Sequence, residues 1–216
     1  RYRFGEYALR VLVHVLPRLP LPIMLTYTRF MARLSYLLLW RYRRRMEENV
    51  ASVFREAPVK ERKDLVWAAW LNFSRGVLDT TLATYYSKEQ ICAMVALEGE
   101  EHIERALEQG KGVLALSAHL GSFTMIGARL AAGGFPFSVV VKSPQDEGLA
   151  RLIDGYRTRI GIHTISAKPR REAVRDILKA LRDNRIVLMI ADEFKSGDVT
   201  VDFLGLTAPA PRGPAT

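Results

Sequence analysis

From about residue 91 onward the chain alternates short apolar runs with stretches of helical length, and this rhythm restricts the fold more than any other feature. Ile91 to Leu97, Val113 to Ser117, Phe137 to Val141, Ile162 to Ile165 and Ile186 to Ile190 read as strands, and Val199 to Leu204 as one arm of a hairpin. Between them, EEHIERALEQG (100–110) and residues 122–132, 146–160 and 170–183 read as helices, the first and third ended by glycine. Strands apolar along their whole length are buried on both faces, and strands separated by helices of this size pair in parallel. The expectation is an α/β fold built on a three-layer, mostly parallel sheet.

The first part of the chain has a different texture. Residues 6–16 and 23–40 are apolar and read as helices, separated by Pro17, Pro20 and Pro22. Neither supplies the roughly 20 clean apolar residues of a spanning helix, and Arg18, Arg29 and Arg33 interrupt the combined stretch. RYRRRMEEN (41–49) continues as a polar helix to about Phe54. Residues 60–86 read as a long amphipathic helix, with Leu65, Ala69, Asn72 and Phe73 on one stripe and Trp67, Trp70 and Leu71 on the next. The tryptophans at 40, 67 and 70 suit lipid headgroups, or, for at least one, the core.

Charge follows the same division. The formal net charge is +9, and residues 1–60 hold twelve Lys or Arg against four Asp or Glu, or +8 of it. Basic charge beside apolar helices suits an anionic membrane surface. Leucine-rich stretches have no role on a phosphate backbone, which argues against nucleic acid as the partner. The expected organisation is therefore a basic apolar arm, 1–60, membrane-associated, and an α/β domain, 61–216. The turn-like tail TAPAPRGPAT (207–216) is an odd finish for such a domain, so further sequence is expected after Thr216. One cysteine, Cys92, excludes an internal disulfide.

His119 stands where open α/β sheets carry their chemistry, just past the C-terminal end of a strand. A histidine there can take a proton from a hydroxyl near neutral pH. Gly121 lets backbone pass close to a ligand, and the N–H groups near Ser122 and Phe123 open a helix and can hold an oxyanion. A general-base histidine works better with an acid to orient it. Five positions on stands Thr124, which cannot stabilise an imidazolium as a carboxylate does. Asp192 and Glu193 follow the strand 186–190 and offer negative charge at the same edge. Arg157, Arg159 and Arg212 are candidate contacts for phosphate or carboxylate, and Lys142 ends its strand at that edge. GxGxxG, P-loop, GxSxG and HExxH patterns are absent, and His14, His102, His119 and His163 are too scattered for a metal cluster.

RRRMEENVASVF (43–54), LEGEEHIERALEQGKGVLALSAHLGSF (97–123), RTRIGI (157–162), IADEF (190–194) and VDFLGLTAPAPRGPA (201–215) together resemble, in order and spacing, the bacterial lipid A biosynthesis acyltransferases. These lauroyl and myristoyl transferases lie within the glycerolipid and lysophospholipid acyltransferase superfamily. The resemblance implies a glycerolipid-acyltransferase-type α/β domain on a membrane-associated arm, at the cytoplasmic face of a bacterial inner membrane. It implies transfer of a fatty acyl group from acyl carrier protein or acyl-CoA to a hydroxyl of a glycolipid such as a lipid A precursor, with no cofactor. His119 matches the family's catalytic histidine and Thr124 the position of its acid. Gly121, Ser122 and Phe123 match a Gly-Asn-Trp-like segment, Arg159 a basic residue before a glycine, and Asp192 an aspartate ending the later strand. The PRGPA loop matches a segment that the family continues into a helix and a strand. Two further expectations stand beside this one: a lipid-binding homologue without catalysis, motivated by Thr124, and acylation of another acceptor such as a mannosylated lipid.

Overall fold

The structure is a computed structural model; it describes residues 14–142, 144, 146–192 and 199–210. Among these, a 3-10 turn at Leu16–Arg18 precedes α1 (Leu21–Leu38), α2 (Trp40–Val53), α3 (Val59–Tyr85), α4 (Lys88–Met94) and α5 (Glu100–Leu107). Then follow β1 (Val113–Ser117), α6 (Phe123–Ala132), β2 (Phe137–Val141), α7 (Glu147–Arg159), β3 (His163–Ser166), α8 (Arg170–Arg182), β4 (Ile186–Ile190), β5 (Val199–Phe203) and β6 (Leu206–Ala210). The backbone groups into two compact units, Arg1–Arg18 with Asp79–Glu193, and Leu19–Leu78 with Phe194–Thr216. The division falls inside α3, at Leu78/Asp79.

The first unit carries the sheet. Its strands run in the order β1-β4-β2-β3, and every pairing is parallel. The alternation of side chains along β4 shows why a layered fold results. Ile186 and Leu188 enter a core with Phe137, Ile162, Ile91 and the Met125, Ala128 and Ala131 face of α6. Val187, between them, points the other way and packs with Ile165 and Ala180, where α8 covers the sheet. Helices thus lie on both faces, as the apolar strands required. Each large side chain fully removed from water here contributes about 1.5–3 kcal/mol. Leu114 and Leu116 of β1 remain exposed on the α8 side. At the start of the sheet Arg185 ties β2 to β4, its guanidinium donating to Ser138 Oγ at 2.8 Å and to the Phe137 carbonyl at 2.7 Å.

The second unit, described by itself, has α1, α2 and most of α3. Met24, Thr28 and Ala32 form the buried face of α1. Tyr36 meets Trp67 and Trp70 edge-on, at 5.3 and 5.5 Å between ring centres, and Trp70 Nε1 donates to Ser35 Oγ at 3.0 Å. Trp40 stays exposed. β5 and β6 make an antiparallel hairpin. Leu204 and Gly205 both have positive φ, the pattern of a tight two-residue turn between strands.

Two expectations are corrected, and the long helix shows which of its stripes is buried. Ile91 to Leu97 is not a strand: α4 runs Lys88–Met94, started by Ser87 and Gln90, whose side chains each bond the other's backbone N–H. That capping box is written in the sequence as SKEQ, and it outweighs the short apolar run behind it. The stripe Leu65, Ala69, Asn72 and Phe73 faces outward; Val66 and Trp70 are the buried positions of that stretch. Residues 207–210 are strand rather than turn. Pro209 is tolerated there because a two-stranded ribbon has only edge strands.

Candidate functional site

β1 and β4 pair in register from Val113↔Ile186 to Ser117↔Ile190, and the Ala191 N–H carries the ladder on to the Ser117 carbonyl at 2.9 Å. His119 and Asp192 each lie two residues beyond the last paired positions, so neighbouring strands release them side by side. The carboxylate holds the histidine twice. Oδ2 accepts the His119 backbone N–H at 2.7 Å, and Oδ1 lies 2.8 Å from Nδ1. An ionised carboxylate only accepts, so Nδ1 carries the proton and Nε2 presents a lone pair. Nε2 has no partner among the described residues. The two side chains are 42% and 38% exposed, which leaves Nε2 accessible to a substrate.

The Asp192 carboxyl is held below the ordinary aspartate value. Partial burial works to raise it, but the hydrogen bonds from the His119 backbone and ring, and the positive charge the ring carries whenever it takes up a second proton, outweigh that. The Phe123 ring stands edge-on to the imidazole, with centres 5.0 Å apart. Together these contacts fix the tautomer and the tilt of the ring.

Gly121 has φ +56, with no atom within 4 Å of where a Cβ would stand. Its need for glycine is therefore conformational: the chain turns sharply between His119 and α6. Ser122 precedes the first turn of α6, yet its hydroxyl caps no backbone N–H. It donates instead to Asp79 Oδ2 at 2.6 Å. The Thr124 and Thr80 hydroxyls share a hydrogen bond of 2.7 Å. Thr124 thus faces the end of α3 rather than the histidine, and the carboxylate on His119 comes from Asp192, one of the two acids the sequence offered in place of the missing one. Asp79 and Thr80, which reading the sequence did not single out, brace the turn that carries His119. The signal was a carboxylate inside the otherwise apolar run GVLDTTLATY, but only the packing of α3 beside α6 shows its use.

The remaining candidates separate. Lys142 follows β2 at the same C-terminal edge as His119. Arg157 and Arg159 do not join the site. α7 ends at Arg159 and β3 starts at His163, so both arginines lie at the opposite edge, where strands begin. Arg157 pairs with Asp154 at 3.1 Å, and Arg159 lies over the Tyr156 ring. Glu193 and Arg212 fall outside the described residues.

A histidine oriented by an ionised aspartate, with no described residue on its other nitrogen, at the carboxyl edge of a parallel sheet is an arrangement able to act as a general base in an α/β protein. The chain belongs to the bacterial lipid A biosynthesis acyltransferase family, whose sequence model matches residues 2–216. It is 24% identical over 172 residues to a phosphatidylinositol mannoside acyltransferase of Mycolicibacterium smegmatis, covering 79% of this chain and 57% of that protein. A phosphatidylinositol mannoside acyltransferase of Mycobacterium tuberculosis is 29% identical over 119 residues, covering 54% of this chain and 38% of the relative. The matched stretches thus span about half of those relatives or less.

Proposed function

We propose that the protein transfers a fatty acyl group from a thioester donor, acyl carrier protein or acyl-CoA, to a hydroxyl of a glycolipid. The observation that carries this is the His119–Asp192 pair with Nε2 unoccupied by any described group. Nε2 takes the proton of the acceptor hydroxyl as its oxygen attacks the thioester carbonyl. The oxyanion forms against the backbone N–H groups that open α6 beside Gly121 and Ser122. As the intermediate collapses the C–S bond breaks, and the imidazolium returns the proton to the departing thiolate. Aspartate stabilises the imidazolium while it lasts.

The acceptor is either a lipid A precursor or a mannosylated phosphoinositide, and the two similar mycobacterial proteins make the second the first to test. The lipid-binding alternative rested on the missing acid at 124, and Asp192 removes that motive. On this reading the protein works at the cytoplasmic face of a bacterial inner membrane as a peripheral or monotopic protein. No helix among the described residues is long and apolar enough to cross a membrane. Mixing protein with radiolabelled acyl donors and each glycolipid tests the mechanism. His119→Ala is expected to lower transfer by about 100-fold or more, the usual scale of general-base catalysis; label transfer equal to the parent's overturns the mechanism.

A further inference from the structure

The strand order places a row of cations on the edge that carries the His119–Asp192 pair. Passing from β1 to β4, β2 and β3 along the carboxyl edge, one meets His119, Asp192 and Lys142, then Lys168 with Arg170 and Arg171 at the start of α8. The Ala167 N–H extends the β2–β3 ladder, bonding the Val141 carbonyl at 2.8 Å, so Lys168 emerges at that edge. All four cations are exposed, and none makes an ion pair among the described residues. Arg159 and Arg182, at the far ends of the neighbouring helices, also lack a carboxylate among the described residues, but the other cations of those helices, outside this row, are paired. Arg151, Arg157, Arg175 and Lys179 each have a carboxylate at 2.7 to 3.3 Å. Glu172 is the one acid in the stretch 164–175. Unshared positive charge is concentrated at one end of the catalytic edge.

We propose that Lys142, Lys168, Arg170 and Arg171 bind the phosphate at the end of the acyl donor's pantetheine arm. The proposal rests on the acyl-transfer reading of His119. The dimensions agree. β1 and β3 are three strand spacings apart, about 14 Å. A pantetheine chain has about thirteen bonds from sulfur to phosphorus, and at the extended rise of about 3.5 Å per three bonds it spans about 15 Å. A thioester at His119 Nε2 therefore brings its phosphate to the far end of the sheet edge. Arginine forks and lysine ammonium groups are the side chains suited to phosphate oxygens. Coenzyme A and acyl carrier protein share this phosphodiester, and the remainder of each donor differs.

The test is equilibrium binding by titration calorimetry, which needs no turnover. The probes are coenzyme A, holo-acyl carrier protein and phosphate-free pantetheine. The parent protein is expected to bind at least one phosphate-bearing probe, more weakly as salt is raised, and pantetheine at least about tenfold less tightly. The variant Lys168→Glu/Arg170→Glu/Arg171→Glu should lose about tenfold or more toward the phosphate-bearing probe and little toward pantetheine. Loss toward coenzyme A alone names the nucleotide-bearing donor; loss toward the carrier alone names the protein donor. Thermal unfolding checks that the variant folds, and the milder Lys142→Gln/Arg170→Gln pair replaces it if it does not. The proposal is overturned if charge reversal leaves affinity unchanged, if pantetheine binds as tightly as the phosphate-bearing probes, or if the parent binds neither of these. His119→Ala should leave binding of whichever phosphate-bearing probe the parent takes intact while ending transfer, so failure of the acyl-transfer reading and failure of this site register in different measurements.

Discussion

A carboxylate that accepts both the backbone and the ring N–H of one histidine leaves that ring little freedom, and Asp192 does this for His119. Asp192→Asn keeps the shape but lets an amide donate to Nδ1, which moves the proton to Nε2 and removes the base. The expected result is a fall in kcat of about 100-fold or more with a smaller change in KM, measured as acyl transfer from one donor. Thr124→Glu, on the same donor, is expected to bring no gain, because the ring already has its acid and Thr124 bonds Thr80. A gain from Thr124→Glu with little loss from Asp192→Asn would return the role to position 124. The histidine was legible in the sequence because a strand, a lone His and a glycine turn stand in a row. Its partner was one of several options, since the register between β1 and β4 is set across three intervening crossovers and is not written locally. Arg157 and Arg159 misled for the complementary reason: only the direction of α7 tells which edge they serve.

Elements report the same competition between local signals and packing. β1, β2 and β4 were readable as apolar runs, whereas β3, HTIS, is short and exposes both its ends, so only Ile162 before it and Ile165 within it signalled it. The run at Ile91 obeyed its capping box instead, and the outward stripe of α3 shows that apolar residues do not by themselves name the buried face. Two helical glycines separate the local contribution from the packed one. Gly155, in α7, has nothing near a Cβ position, so Gly155→Ala should stabilise by about 0.5–1 kcal/mol through helix propensity alone. Gly127, in α6, would bring a Cβ to 2.9 Å from the Phe137 ring. Phe137 is buried and has no room to retreat, so Gly127→Ala should destabilise by about 1–3 kcal/mol despite the same gain in propensity. Denaturant unfolding of both variants checks the pair. Equal shifts in the two would mean that α6 does not press on the sheet as described.

At the scale of the whole molecule the unequal distribution of charge is the main fact: +8 of the +9 lies in residues 1–60. The α1 helix in that stretch exposes Ile23, Tyr27, Phe30, Leu34 and Leu37. Their spacing of three and four residues puts them on one side of the helix, away from the buried Met24, Thr28 and Ala32. Arg29 and Arg33 on the same helix, and Arg41 and Arg45 on α2, are exposed as well. An apolar stripe with cations beside it is the composition of a helix that lies in a membrane interface. Each basic residue near an anionic surface adds about 1 kcal/mol, decaying within about 10 Å at moderate salt. Binding to vesicles should therefore need both anionic lipid and the stripe. Removing the arm whole would also remove Tyr36 and Ser35 from Trp67 and Trp70, so substitution is the cleaner test. Phe30→Ser/Leu37→Ser changes two exposed side chains and should leave thermal unfolding almost unaltered. It is expected to lower co-sedimentation with phosphatidylglycerol-containing vesicles several-fold, and raising salt should lower it further. Neutral phosphatidylcholine vesicles should hold much less of the parent. If the variant sediments as the parent does at every salt concentration, the exposed stripe of α1 is not the surface that meets lipid.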